Sequence, residues 1–548
     1  MAEMPKALYK ETLETTNSQP PSQHATRFLR YVVITVGFLV SLMVYYSNPL
    51  SGLKGFIYNS DALYLPSLYA DFIRGNDLSK WNLPPTPYFF PDMPLYFAIR
   101  VITPNIHMAA VLFGLIQLLM FALGLMLLSR HSLPHWYGST RYSLIALMGV
   151  LFLVSLEKLE YYSQTIFVGT YHFGIVLMIP FVLAITLSLV RGSRTKAPLV
   201  WTLCALSFLT AVSDGWYLIQ VTIPLIGSLA VLYLRGRVDS KGAFTVVKAV
   251  VPASLMGIGV SLVYVWKEPA LRTYVFRPNS IYLSFLRLTD ALATIPAYHI
   301  VLATIFISMC VFASLKSVAR PLPHETFSTS ADRASRLLPL YFLLSFALNV
   351  LTVIGLGVFA DRNGFHYFIP LFIFSGFWGF PFVATVPKII KPMFLERIVL
   401  GVLGLIALLA LRSIDLQQIV ENLTDTYYPP SVRCLDEKTA QLGIKYGVAN
   451  YWQAKPISLL SQNDLMVVQV NRDLSPFYWI NNPDWYKIRP EFAVIDLSLP
   501  ENHPWRLDEN LIRNRFGEPD AIFQCEHSQV LVYNRPTSEF RDLFNDAP

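Results

Sequence analysis

Apolar stretches of about membrane-spanning length recur along most of this sequence, and they constrain the fold more than any motif does. A helix needs roughly 17 to 25 predominantly apolar residues to cross a bilayer. Eleven stretches meet or approach that requirement: Tyr31 to Ser47, His107 to Leu128, Tyr142 to Leu156, Tyr171 to Val190, Leu199 to Val212, Trp216 to Leu234, Phe244 to Val265, Ile295 to Ser314, Leu337 to Ala360, His366 to Val386 and Ile398 to Leu411. Only 14% of the 548 residues are charged, against roughly 25% in soluble domains. An ordinary soluble enzyme, a disordered chain and a disulfide miniprotein are excluded, and a polytopic helical membrane protein is expected.

The net charge of +7 is unevenly spread. From Ser413 onward there are 12 Lys and Arg against 19 Asp and Glu, and before it 31 against 17. The basic excess falls in alternate loops: Lys6, Lys10, Arg27 and Arg30; Arg130 and Arg141; Arg191, Arg194 and Lys196; Arg235, Arg237 and Lys241; Lys316, Arg320, Arg333 and Arg336; Lys388, Lys391 and Arg397. Such clusters mark the cytoplasmic side, so they report topology, and no nucleic-acid partner is expected. The expected organisation is a cytoplasmic tail over 1–30, a membrane domain over 31–412 with a long first outer loop at 48–106, and an outer domain over 413–548. The first apolar segment reads as an uncleaved anchor.

The outer segment changes character. Short apolar runs at Leu465 to Val470, Phe492 to Asp496 and Val530 to Tyr533 are bounded by Asn, Asp, Pro and Gly, which is how strands read. A small α/β domain outside the membrane is expected. Cys204 and Cys310 sit in apolar stretches, whereas Cys434 and Cys525 are the two cysteines of the outer segment. Oxidation is permitted there, so a disulfide between them is expected.

No glycine-rich nucleotide loop and no His/Cys metal cluster occurs in the sequence. Group-transfer potential therefore arrives with the substrate, and no cofactor is called for, although a divalent metal stays open. The first outer loop is the most unusual segment. From Asn59 to Arg74 it alternates apolar and polar residues at helical spacing, so a helix lying at the membrane interface is expected. Ser60 is placed to cap it, with Asp61 at the helix start. A carboxylate at that depth is partly desolvated, which raises its pKa and suits it to accept protons; alternatively Asp61 does no more than favour the positive helix end.

A first helix, then a long outer loop with an Asp soon after the membrane and a Tyr-containing amphipathic helix, resembles the membrane-embedded GT-C glycosyltransferases. Asp361 to Pro370 resembles the late Arg-x-x-x-aromatic-aromatic-x-x-Pro stretch of that family. The family's usual acidic pair is a single acid here, because Ala62 follows Asp61. The resemblance implies inverting transfer of a sugar from a polyprenyl phosphate or pyrophosphate to a glycan, lipid or protein acceptor. It implies Asp61 as catalytic base and Arg362 as a contact to the donor phosphate.

The outer loop from Trp266 carries Arg272, Arg277 and Arg287, against the positive-inside tendency. Either these grip an anionic ligand, as Arg does in bidentate fashion, or they pair with lipid headgroups or the acidic outer domain. Glu157 and Glu160 lie one helical turn apart; they orient an acceptor or a metal, or belong to a solvated turn. Asp214 interrupts an apolar run, where an ionisable group is rare; it is a further acceptor or metal candidate, or it forms a tight turn with Gly215. Tyr171, His172 and His366 are candidates to line a groove. The alternative class is a transporter or flippase, which would place polar groups at mid-membrane; the ionisable residues here gather at the outer boundary. The expected location is a bacterial cytoplasmic membrane, N-terminus inside and C-terminal domain outside.

Overall fold

In the computed structural model the chain is described over residues 21–47, 57–132, 165–166, 171–191, 197–265, 280–295, 297–319, 330–359, 362–377, 392–424, 427–535 and 539–544. Helices dominate as far as Thr424, and a five-stranded sheet follows. Among the described residues four helices are long and apolar enough to cross a membrane by length and composition: Ile106–Ser132, Phe173–Val190, Ser240–Tyr264 and Arg336–Gly355. With the shorter apolar helices between them, they make a multi-pass membrane protein. The expected Trp216 to Leu234 span is interrupted by a π-helical turn at Leu218–Thr222. His366 to Val386 begins inside a 3-10 turn, Arg362–Phe368, and its part beyond residue 377 lies outside the described residues. The stretch from Tyr142 to Leu156 lies outside the described residues. The first helix begins at Pro21, well before Tyr31.

Small residues set how closely these helices approach. Helix Ala197–Ser213 packs along helix Ser240–Val265, and a Cβ at Gly257 would stand 2.6 Å from the Phe208 carbonyl oxygen. Hydrocarbon-embedded helices associate through such contacts, since lipid removes the hydrophobic drive between them.

The sheet has the order β2-β1-β3-β5-β4, built from β1 Tyr446–Ala449, β2 Met466–Gln469, β3 Phe492–Asp496, β4 Ala521–Cys525 and β5 Ser528–Val532. β1 is parallel to β2 and β3, and β5 is antiparallel to β3 and β4. Successive residues serve opposite faces: Val467, Phe492 and Val494 enter one core, and Val468, Ala493 and Ile495 the other. Both faces are covered, as near-continuous apolar strands require. Cys434, on helix Pro430–Leu442, is disulfide-bonded to Cys525 at the end of β4, with Cα atoms 5.5 Å apart. Helix Leu416–Thr424 packs on the first helix, so residues just after Ser413 still belong to the membrane-side packing.

The C-terminal domain is welded to the segment over 57–106, the two parts that the sequence reading expects outside the membrane. Ile480 shares a core with Tyr64, Leu65, Leu68, Trp81 and Tyr88, and Trp81 meets Trp485 edge-on at 5.2 Å. Asp71, 1% exposed, accepts hydrogen bonds from Trp81 Nε1 (2.9 Å), Asn76 Nδ2 (2.9 Å), Trp485 Nε1 (3.0 Å) and Asn482 Nδ2 (3.2 Å). At the rim Lys80 pairs with Asp484 at 2.8 Å.

Candidate active site

Asp61 lies in a turn, not at the start of a helix. The helix of the first outer loop begins at Tyr64, behind Leu63 with no side-chain cap. Asn59 takes the capping role within the turn, its Oδ1 accepting from Ala62 N at 2.8 Å. Ser60 is buried and turns instead to the outer domain, donating to the Tyr451 carbonyl at 2.5 Å. A hydroxyl taken out of water needs a partner, and the outer domain supplies it before the helix can. The expectation that Ser60 caps the helix is thereby corrected.

The carboxylate lines a cavity of about 470 Å³. Tyr171, His172, Trp216, His366 and Tyr367 line the same cavity, and Trp479 and Ile480 of the outer domain close it. Four residues singled out in the sequence, Asp61, Tyr171, His172 and His366, thus converge. Tyr451 donates its hydroxyl proton to Asp61 Oδ1. Burial pushes the Asp61 carboxyl up, while the Tyr451 bond and the nearby Lys455 charge pull it down.

Asp214 joins the cavity wall through His172. It follows helix Ala197–Ser213, and its Oδ1 accepts from Trp216 N at 3.0 Å, which makes the tight turn. Its Oδ2 holds His172 Nδ1. The turn read for Asp214 is thus present, and the carboxylate is in addition the partner of His172. His172 adopts a left-handed φ of +62°, rare for a residue with a Cβ and typical of functional sites. Its ring stacks on His366 at 5.3 Å and faces Tyr367 at 5.4 Å. The 3-10 turn that carries His366 and Tyr367 is tied by Asn349, which donates to the Tyr367 carbonyl. Arg362 opens this turn; its side chain lies outside what is described.

Of the other expected cations and acids, Arg287 is described, and it is not brought to the cavity. Arg287 sits on the exposed face of helix Ile281–Thr294, which packs beside that turn. It belongs to a helix where a loop was expected, and Arg287 does not line the cavity. Glu157, Glu160, Arg272 and Arg277 lie outside the described residues. Among the described residues no three His, Cys, Asp or Glu side chains converge as a metal set.

Three residues near the site were missed in the sequence. Asp92 opens helix Asp92–Ile102, is buried, and accepts from Gln117 Nε2 at 2.8 Å. Burial, reinforced by the Asp214 charge, pushes its carboxyl up to about 8. A Cβ at position 174 would stand 2.5 Å from Asp92 Oδ2, so only Gly174 fits there. Tyr451 and Lys455 reach Asp61 across some 390 residues of sequence. The one signal for Lys455 was a lysine one helical turn after Tyr451, the sole charged residue of a mostly apolar helix.

No protein-family model matches the chain, and no curated protein matches it. Among solved structures it is similar to the Archaeoglobus fulgidus oligosaccharyltransferase, described as tethered through a disulfide bond to an acceptor peptide containing the NVT sequon. The TM-score is 0.47 at 10% identity, over 93% of this chain and 75% of that one. That protein has the GT-C fold. A likeness of this size transfers neither activity nor substrate.

Proposed function

We propose that this chain is a GT-C-type membrane glycosyltransferase that moves a sugar from a polyprenyl phosphate or pyrophosphate to an acceptor at the outer face. The observation that carries the reading is Asp61: a desolvated carboxylate in a cavity of about 470 Å³, held by Tyr451 and walled by aromatic rings. Ligand sites are commonly concave, of roughly 300 to 1,000 Å³, with apolar walls and few convergent polar groups. In the sequence the ionisable candidates stand at the ends of apolar stretches, which favours the enzyme over a transporter with a mid-membrane site.

In the proposed step an acceptor hydroxyl or amine attacks the anomeric carbon as the bond from that carbon to the phosphate oxygen breaks. The bonding electrons leave with the phosphate, the sugar inverts, and Asp61 takes the acceptor proton. Phosphate departs without a strong acid, so one carboxylate base suffices. Arg362, with Arg272 and Arg277, supplies cations for the leaving phosphate. His172, its Nδ1 committed to Asp214, presents an oriented imidazole to the same cavity. Glu157 and Glu160 remain candidates to orient the acceptor. The topology that accompanies this reading has eleven spans, the N-terminus inside, and the 413–548 domain outside a bacterial cytoplasmic membrane.

The test is incubation of the purified protein with candidate polyprenyl-phosphate sugars. Asp61→Asn keeps size and removes the proton acceptor, and transfer should fall roughly 100- to 10,000-fold. Near-normal turnover by a folded Asp61→Asn protein would refute the assignment.

A further inference from the structure

One helix of the outer domain, Tyr451–Leu460, presents two side chains to the turn that carries Asp61. Tyr451 and Lys455 are four residues apart and share a face of that helix. Around them the turn and the helix are tied three times. Ser60 Oγ donates to the Tyr451 carbonyl at 2.5 Å, Lys455 Nζ donates to the Ser60 carbonyl at 3.2 Å, and the Tyr451 hydroxyl donates to Asp61. The Lys455 ammonium also lies 4.6 Å from the centroid of the Tyr451 ring.

The direction of the Tyr451 bond follows from its partner. An ionised carboxylate can only accept, so the single proton of the phenol is directed to Asp61. A carboxyl that receives a hydrogen bond from a fixed donor is favoured in its ionised form. Lys455, 2% exposed, adds a cation that acts on the same group.

We infer that Tyr451 and Lys455 are positioning residues for Asp61: the outer domain completes the site by holding this carboxylate in place and in its ionised form. The inference rests on the reading of Asp61 as the base, and it adds where the ability to act as a base comes from. The other titratable groups facing Asp61 are Tyr171, and along the cavity Tyr64, Tyr88, His172 with Asp214, His366 and Tyr367. None of the described residues lining the cavity is a lysine or arginine. The coupling runs both ways. Burial pushes the Lys455 ammonium down to about 7 while Asp61 holds it up. Once Asp61 has accepted a proton, Lys455 loses its anionic partner and releases its own more readily.

Dicyclohexylcarbodiimide reacts with protonated carboxyls in apolar surroundings, so its labelling of Asp61 can be followed against pH without any substrate. The full-length protein in detergent would be labelled as wild type, Tyr451→Phe and Lys455→Met, with Asp61→Asn as the control for the labelled position in mass spectrometry. Losing a donor or a cation raises the carboxyl pKa, so the labelling midpoint should move to higher pH in both variants. A shift of one unit makes labelling about tenfold faster at a pH above the wild-type midpoint. Tyr451→Phe removes a single oxygen and decides the matter alone if Lys455→Met does not fold. A midpoint unchanged or lowered in Tyr451→Phe overturns the inference. A raised midpoint upholds the coupling whether or not a donor sugar has been found, so the transferase reading stands or falls separately on Asp61→Asn. With a donor in hand, the acid limb of the rate profile should shift the same way.

Discussion

Asp71→Ala tests whether the outer domain and the first outer loop are one mechanical unit. The carboxylate is 1% exposed and accepts four side-chain hydrogen bonds, two of them from Trp485 and Asn482 of the outer domain. Asn482 retains the Asp77 carbonyl at 3.3 Å, whereas the indoles of Trp81 and Trp485 lose the acceptor that holds them. Leaving a buried donor unpaired costs about 1 to 3 kcal/mol, and bonds to a charged acceptor sit at the upper end. The sum for the two indoles, with a smaller loss at the amides, is roughly 3 to 5 kcal/mol. At about 1.4 kcal/mol per factor of ten, the junction should open more than 100-fold more often. Hydrogen–deuterium exchange reads this directly, because local opening sets the exchange rate. Amides of helix Tyr64–Arg74 and of the Asn482 to Tyr486 turn should accelerate while those of β3 and β5 keep their wild-type rates. Asp71→Asn keeps one acceptor oxygen and should lose about half as much. Wild-type exchange at the junction in Asp71→Ala would refute the reasoning, as would equal acceleration in the sheet.

Two further outcomes are expected. Replacing Cys434 and Cys525 by serine opens a link between residues 91 apart in sequence, which should destabilise the outer domain by roughly 2 to 5 kcal/mol, measured by denaturant titration of its near-ultraviolet signal. Asp92, with its carboxyl pushed up to about 8 by burial and by Asp214, stabilises the fold fully below the ordinary carboxylate range and loses that contribution as pH rises through 8. Asp92→Asn should therefore be tolerated at pH 6 and should flatten the decline in thermal stability as pH rises from the ordinary carboxylate range to about 8; an unchanged decline over that window would rule this out.

What could be read in the sequence divides along local and non-local lines. The runs at Leu465 to Val470, Phe492 to Asp496 and Val530 to Tyr533 coincide with β2, β3 and β5 because strands covered on both faces are apolar throughout. Tyr171, His172, Asp214 and His366 stood out as polar or aromatic residues at the ends of apolar stretches, yet nothing in their spacing announced the His172–Asp214 bond. Asp92 escaped notice between Pro91 and Pro94, where prolines obscure a helix start. Ser60 was misjudged because a capping pattern is local, whereas its partner, the Tyr451 carbonyl, comes from the outer domain. No rule of spacing reaches from a turn in the first loop to a helix some 390 residues later.

The contrast between Asp61 and Asp92 explains why that distant helix matters. Both carboxyls belong to the first outer loop, and for both burial is the largest influence, acting upward. Asp92 has an amide partner, Gln117, and an acid, Asp214, nearby. Its carboxyl, pushed up to about 8, is held mainly in the protonated form near neutral pH. Asp61 has instead a phenol whose proton is directed at it and an ammonium close by. The difference between the two carboxyls therefore lies in what the C-terminal domain supplies, not in the loop itself. On the proposed reading of Asp61 as base, the site becomes competent when Tyr451 and Lys455 dock, which couples folding of the C-terminal domain to the chemistry.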